Sequence, residues 1–281
     1  MPYKPGTSYY VTDKDVETAF AQCKACVFVT ENGRYKEVLD GTYLNVSDDD
    51  TVNAYCATLS DTFRNYLKQN YHVVDWDEYT HILTVTTGML RWITVIAHVC
   101  EYIDRTRKMG EARKMLAFAA ERLTQFDAGS DFAQRFIDEF AIQCDGRREE
   151  VVRMYGVAIL VALIGHEMGH ACLGHLYQEQ NSLSRNNERC ADMFASSVAQ
   201  SIGNGYAGAV GAVVLDISFI WMQGKNSKYL TDKVKKKVRS TFMSHPVSID
   251  RVKLFLDSFN TVLETSPITG KMLLKLAKQG K

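Results

Sequence analysis

The sequence predicts a mainly helical protein with a small β-sheet, which is an α+β fold. Only four prolines occur, and none lies between Gly6 and His245, so proline interrupts no helix over that span. The chain is 46% hydrophobic and 23% charged, which is the balance of a globular protein with a sizeable core. The β-branched residues of 82–86 predict a short strand.

The first hundred residues contain the predicted sheet. Residues 27–38 alternate in polarity around Asn32-Gly33, which predicts a β-hairpin. The acidic residues 48–50 precede a helix-like stretch at 52–69 and are expected to cap that helix. After the strand at 82–86, Gly88 opens an apolar helix.

Helices are expected over the rest of the chain. Two amphipathic helices are predicted within 109–145, separated near 128–130, and a long helix is predicted from Glu149 to about Tyr177. Further helices are predicted at 185–203, 207–223, 229–242, 247–264 and 268–279. Residues 1–150 are therefore interpreted as a mostly helical N-terminal region with short strands. Residues 151–281 are interpreted as a helical core, and the two parts are expected to form one compact unit.

Composition argues against several classes of protein. Lys plus Arg equals Asp plus Glu, 33 each, so no charge excess favours nucleic acid or an anionic membrane. The basic run 233–239 lacks interleaved aromatic residues and is interpreted as a solvated helix face. Seven scattered cysteines fit reduced thiols, and the sequence predicts neither a signal peptide nor a membrane span. The expectation is a soluble, cytoplasmic protein without an integral membrane segment.

The sequence His166-Glu167-Met168-Gly169-His170 carries the chemistry. Two histidines four residues apart lie on one face of a helix and can direct both imidazoles at one metal ion. Glu167 lies beside the first ligand, where it can accept a proton from a zinc-bound water. A motif of five residues is short enough to occur by chance, so the alternative interpretation is a structural helix that contains the motif without a function.

Two residues are candidates for the third ligand. His175 follows His170 by five residues and points about 140° away on a helix, so it is expected to support the site or end the helix. Glu188 follows after a turn, at the start of a second helix, and can face back toward both histidines. Asp192 lies one turn beyond Glu188 on the same face and is expected to orient a ligand.

These residues resemble a known family. The pattern HEMGH…ERCAD is similar to HExxH…ExxAD of the M48 peptidases, which include the CAAX prenyl protease. The resemblance implies a gluzincin fold in which His166, His170 and Glu188 bind one Zn²⁺. The segment SHPVSIDR at 244–251 resembles the family's His-Pro-x-x-x-x-Arg. By that resemblance His245 would stabilise the oxyanion and Arg251 would pair with Asp192.

A weaker resemblance concerns substrate binding. Residues 81–90 are similar to the family's edge strand, against which an extended polypeptide can pair. The expected substrate-binding residues are Ile82, Leu83, Thr84, Val85 and Thr86. The resemblance covers about 79–91 and 157–256, so residues 1–78 and 92–150 have no counterpart. The unmatched helices at 92–150 would form a lid, a regulatory unit or a surface for a regulatory partner.

The predicted function is zinc-dependent endopeptidase activity on a polypeptide substrate, with Glu167 as the catalytic base. Tyr155, Tyr177 and Tyr206 are further candidates to stabilise the oxyanion. One alternative is an inactive protease fold that binds zinc and a partner. Another is a Lit-type phage-exclusion protease, which such a chain resembles only in length and in the depth of its HExxH motif.

Overall fold

Helices dominate the computed structural model, and its one sheet has three strands within the residues it describes. These residues are 9–71, 74–122, 128–177, 185–203, 205–226, 249–259, 263 and 268–279. The α+β class predicted from the sequence is therefore confirmed.

Helices both precede and follow the HExxH segment. The helices before the HExxH segment are α1 Asp13–Thr30, α2 Lys36–Asp40, α3 Asp61–Asn70, α4 Thr87–Thr106, α5 Met109–Arg122 and α6 Phe132–Glu139. The later helices are α7 Gly146–Cys172, α8 Arg185–Ser201, α9 Gly205–Asn226, α10 Ile249–Ser258 and α11 Gly270–Lys278. The strands are β1 Thr42–Ser47, β2 Ala54–Thr58 and β3 His81–Thr86, and short 3₁₀ turns cover Trp76–Glu78 and His175–Tyr177.

Helix α7 lies at the centre of the molecule. It packs against α1, α4, α8 and α9, and most of its second half is buried. It begins three residues before the predicted start, where the Asp145 side chain caps it by accepting from the Arg148 amide at 2.9 Å. Among the described residues it is the one helix long and apolar enough to cross a membrane, and 72% of its most apolar window is buried inside the protein. A buried core helix has the same composition.

Small residues let α7 and α8 approach closely. A Cβ atom on Gly169 would lie 3.2 Å from Ala191 Cα, and one on Gly165 would lie 3.3 Å from Ala195 Cα. Because the glycines and alanines recur every four residues, they form facing stripes along the two helices. The helix that begins near Glu188 is thereby held against the helix that carries the two histidines.

The strand predicted at 82–86 exists, but it is not an edge strand. The sheet order is β1-β3-β2, with β1 parallel and β2 antiparallel to β3. All six residues of β3 are buried. The prediction that Ile82, Leu83, Thr84, Val85 and Thr86 pair with substrate is therefore wrong, because both neighbouring strands already use their backbone groups.

Strand β2 is the edge next to α7. Backbone hydrogen bonds join Asn53 to Thr86 and Leu59 to Thr80. Hydrogen-bonded pairs alternate along an antiparallel ladder, so the backbone groups of Ala54, Cys56 and Thr58 point away from β3. These groups form the outer edge of the sheet on the side of the HExxH helix.

Two other sequence predictions for the N-terminal region were wrong. Helix α1 continues to Thr30, and Asn32 and Gly33 adopt φ of 50° and 72° in a turn between two helices. Asn-Gly favours positive φ in a turn between strands and in a turn between helices, so the dipeptide does not distinguish these two kinds of turn. The stretch 52–69 divides into β2 and α3, and Ser60 rather than the acidic cluster caps the helix.

The remaining helix predictions have mixed outcomes. The helices at 109–145, 185–203, 207–223 and 268–279 are present with small shifts of their ends. Of the helix predicted at 247–264, Ile249–Ser258 forms α10, and residues 247, 248, 260–262 and 264 lie outside the described residues. The helix predicted at 229–242 and the basic run 233–239 lie outside the described residues.

The α7–α8 contact predicts the effect of adding volume at Gly169. Gly169→Val should lower the free energy of unfolding by about 1–3 kcal/mol, because the side chain meets Ala191 and Phe194 at the interface. Urea denaturation followed by circular dichroism measures this. Gly110→Val is the control, since no heavy atom lies within 4 Å of a Cβ there. Equal stability of the two variants would contradict the close packing.

Candidate metal centre

Three buried side chains from two helices converge at one point. His166 and His170 lie on α7, and Glu188 lies in the first turn of α8. Their donor atoms all lie within 4.8 Å of one another, and each side chain is almost completely buried. Buried imidazoles and a buried carboxylate that face one another form a group able to hold a metal ion.

The distances among the donor atoms fit a single ion. His166 Nε2 and His170 Nε2 are 3.1 Å apart. The Glu188 oxygens lie 3.5 Å from His166 Nε2 and 3.3 Å from His170 Nε2. Two ligands of a tetrahedral zinc with bonds of 2.0–2.1 Å are separated by about 3.3–3.4 Å. The side chains can therefore bind one such ion with small adjustments.

Glu167 lies beside this cluster and is held by the sheet. Its Oε2 accepts a hydrogen bond from the Cys56 amide at 3.0 Å, and the side chain is buried. Cys56 belongs to β2, and its amide points away from β3 as the ladder requires. The strand thus fixes one oxygen of the Glu167 carboxylate, on the residue that follows His166.

A buried ion pair supports the first histidine. Asp192 Oδ1 lies 2.8 Å from His166 Nδ1, which leaves His166 Nε2 to face the other donors. Arg251 binds both oxygens of Asp192, through Nε at 3.0 Å and Nη2 at 2.7 Å. Two parallel bonds of this kind are the strong, geometrically specific form of an Arg–carboxylate pair. The pairing of Arg251 with Asp192 expected from the sequence resemblance is present.

The surrounding carboxylates favour positive charge at His166. Burial lowers the pKa of His166, but hydrogen bonds to Asp192 and Glu188 outweigh it and raise the pKa to about 10. Burial alone would raise the pKa of Asp192, whereas Arg251 and His166 hold it below its usual range. An environment that stabilises a proton on the imidazole also stabilises a cation bound to its nitrogen, so proton and metal compete there.

His175 supports the second histidine. Its Nδ1 lies 3.0 Å from His170 Nδ1, so one of the two nitrogens donates to the other. With Nδ1 engaged in this contact, His170 Nε2 faces His166 and Glu188. The expectation that His175 supports the site rather than joins the ligands is consistent with this contact.

The structure describes the side chains of two of the four candidates to stabilise an oxyanion. His245 and the Tyr177 side chain lie outside the described residues. Tyr155 is completely buried beside Tyr206, and the Tyr206 hydroxyl donates to Asp104 at 3.0 Å. Tyr206 thus has its partner on helix α4, and Tyr155 lies beside Tyr206.

Sequence reasoning missed two features. Cys56 contributes its backbone amide, which no residue pattern reveals. Asp216 lies on α9 in a cavity wall shared with His166, Glu167 and Arg251. Burial raises the pKa of Asp216 to about 6, although Arg251 partly opposes the shift. The available signal was that Asp216 is an acid inside one of the most apolar stretches of the chain.

Comparisons of the chain with protein-family models, with curated proteins and with solved structures find no match. The geometry of the site is therefore the main guide to the function of the protein.

The Asp192 contacts predict the effect of removing one charge. Asp192→Asn should weaken zinc binding by about 10–100-fold, because ring orientation and ligand basicity at His166 depend on this carboxylate. Competition with a chromophoric zinc chelator measures the affinity. Asp250→Asn, at an exposed position of α10, is the matched control. Unchanged affinity in a folded Asp192→Asn protein would refute the supporting role.

Proposed function

We propose that the protein is a zinc-dependent endopeptidase of the gluzincin type. The observation that carries the proposal is that two glutamates occupy different positions at the site. Glu188 faces the two histidines at 3.3–3.5 Å, whereas Glu167 accepts from the Cys56 amide beside them. A site that only stores or displays a metal has no need for a second carboxylate placed next to the ligands.

The donor set supports zinc. Two imidazole nitrogens and one carboxylate are a common ligand set of catalytic zinc, which leaves a fourth position for water or substrate. The same donors also suit iron(II), so the donor types alone do not choose between the metals. The adjacent Glu167 favours hydrolysis, because it is a base beside the metal rather than a further ligand. When bound, zinc would polarise the scissile carbonyl and acidify a coordinated water.

The residues of the chain supply the proton transfers. Glu167 would take a proton from the attacking water while the water oxygen forms a bond to the carbonyl carbon. As the C–N bond breaks, Glu167 would return that proton to the leaving nitrogen. The Cys56 amide would hold the carboxylate in place for both transfers. Asp192 and Arg251 would keep His166 oriented throughout.

Strand β2 replaces β3 as the proposed substrate-binding edge. The backbone groups of Ala54, Cys56 and Thr58 point away from β3, and Cys56 already contacts Glu167. An extended polypeptide that pairs along this edge would bring its backbone to the base and the metal ligands. Backbone pairing gives affinity for a polypeptide of almost any sequence, so sequence preference must come from side-chain pockets.

The oxyanion-stabilising role of His245 stays a proposal, carried only by the resemblance of its segment. Zinc as the metal, a cytoplasmic location and a regulatory partner at 92–150 likewise stay proposals.

Replacing the proposed base tests the function. Glu167→Gln should retain one zinc per chain, because the substitution leaves all three proposed ligands in place. Hydrolysis of unfolded casein should fall by about 100-fold or more, since the amide cannot accept the proton. Metal analysis and a casein assay with and without chelator give the two readings.

Glu150→Gln, on the exposed start of the same helix, is the control and should cleave like the wild type. Loss of zinc in Glu167→Gln would make Glu167 a ligand rather than a base. A wild-type protein that binds zinc and cleaves nothing would favour the alternative of a zinc-binding regulator.

A further inference from the structure

A cavity of about 80 Å³ adjoins the proposed metal centre. His166 and Glu167 form part of its wall, so a group in the cavity lies next to the proposed reacting atoms. Most of the wall is apolar and comes from the β2 region, α4, α7, α9 and α10. Its apolar members include Val52, Met89, Ala162, Leu215, Phe219 and Phe255. A cavity of this size and lining has room for one substrate side chain.

A carboxylate oxygen without a hydrogen bond lies in this apolar wall. Asp216 is 5% exposed, and its Oδ2 is buried with no hydrogen-bond partner among the residues the structure describes. Among the described residues, the guanidinium of Arg251 lies beside it, with Nη2 4.0 Å from Oδ1. Buried polar groups are nearly always hydrogen-bonded, because desolvation without a partner costs free energy. Asp216 therefore calls for a partner that the described part of the protein does not supply.

Arg251 does not fully meet this requirement. Its hydrogen bonds to Asp192 are 2.7 and 3.0 Å long, so the guanidinium is much closer to that carboxylate than to Asp216. One arginine thus faces two buried carboxylates. Glu188 is not counted with these two carboxylates, because its charge faces the proposed metal. Among the described residues that line the cavity, the carboxylates of Glu167 and Asp216 face one guanidinium, that of Arg251, so this part of the wall has surplus negative charge.

We propose that this cavity is the specificity pocket of the peptidase, and that Asp216 makes it select a lysine or arginine next to the scissile bond. The inference rests on the proposed function. The apolar walls would cover the methylene stem of such a side chain, and Asp216 would bind its cationic head. Long basic side chains combine these two chemistries, since their stems pack against apolar surface. An aliphatic side chain would fit the walls but would leave the carboxylate unpaired.

Peptides that differ only in the charge of one side chain provide the test. One fluorescent peptide carries lysine at a single position and the other carries norleucine, which has the same stem without the ammonium group. Binding is measured by fluorescence anisotropy on zinc-loaded Glu167→Gln protein, and cleavage on wild-type protein. The measurements are made at pH 8, because burial raises the pKa of Asp216 to about 6 and the carboxylate is then ionised.

The lysine peptide should bind and be cleaved with roughly tenfold or greater preference over norleucine, as expected for a hydrogen bond between charged groups. Asp216→Asn should abolish this preference, and Asp250→Asn should preserve it. Mapping of casein cleavage sites by mass spectrometry should show Lys or Arg adjoining the cut for the wild type only.

The failures of the two proposals are distinguishable. Cleavage of both peptides at equal rates, or a lysine preference that survives in Asp216→Asn, overturns the pocket inference and leaves the peptidase intact. A lysine preference in binding that depends on Asp216, without cleavage of any peptide by zinc-loaded wild type, overturns the peptidase and leaves the pocket as a binding site.

Discussion

The close contact between α7 and α8 is the constraint on which the site depends. Two histidines on one helix can point at the same ion, but they need a third donor that local sequence cannot provide. Gly165 and Gly169 face Ala191 and Ala195, and this packing brings the start of α8 against the histidines. The alanine of the ERCAD sequence thus has a physical role, because a larger side chain at 191 would separate the two helices.

Buried charge shapes the chemistry of this region. Four carboxylates, Glu167, Glu188, Asp192 and Asp216, lie near one arginine, and each is at most 5% exposed. Charges in a low-dielectric interior are stable only when they are paired or bind a metal. A divalent cation at the histidines would offset most of the excess. The negative charge that remains lies at Asp216, next to the proposed metal centre. This charge is what would select a basic side chain of the substrate.

The cluster of His166, His170 and Glu188 was predictable from the sequence, whereas the order of the strands was not. His166 and His170 are four residues apart on one helix, and their convergence follows from helix periodicity, which is a local property. Glu188 lies on a second helix, and it was indicated by the turn before it and by the resemblance of the ERCAD segment. Strand order is set by long-range pairing, so the buried strand at 82–86 resembled an edge strand on sequence alone. The prediction of a hairpin around Asn32-Gly33 was wrong for a similar reason. The two residues do form a turn, but the turn joins two helices instead of two strands. The backbone contact from Cys56 to Glu167 had no signature in the sequence.

The most direct test is metal titration of the purified 281-residue chain, with X-ray absorption at the zinc edge of the loaded protein. We expect one zinc per chain, with two imidazole nitrogens and one carboxylate oxygen at about 2.0–2.1 Å from the metal. Glu188→Ala should lose that oxygen from the spectrum and bind zinc far more weakly, whereas Glu150→Ala should match the wild type. A chain that takes up no zinc, or one whose zinc spectrum is unchanged in Glu188→Ala, would contradict the central claim.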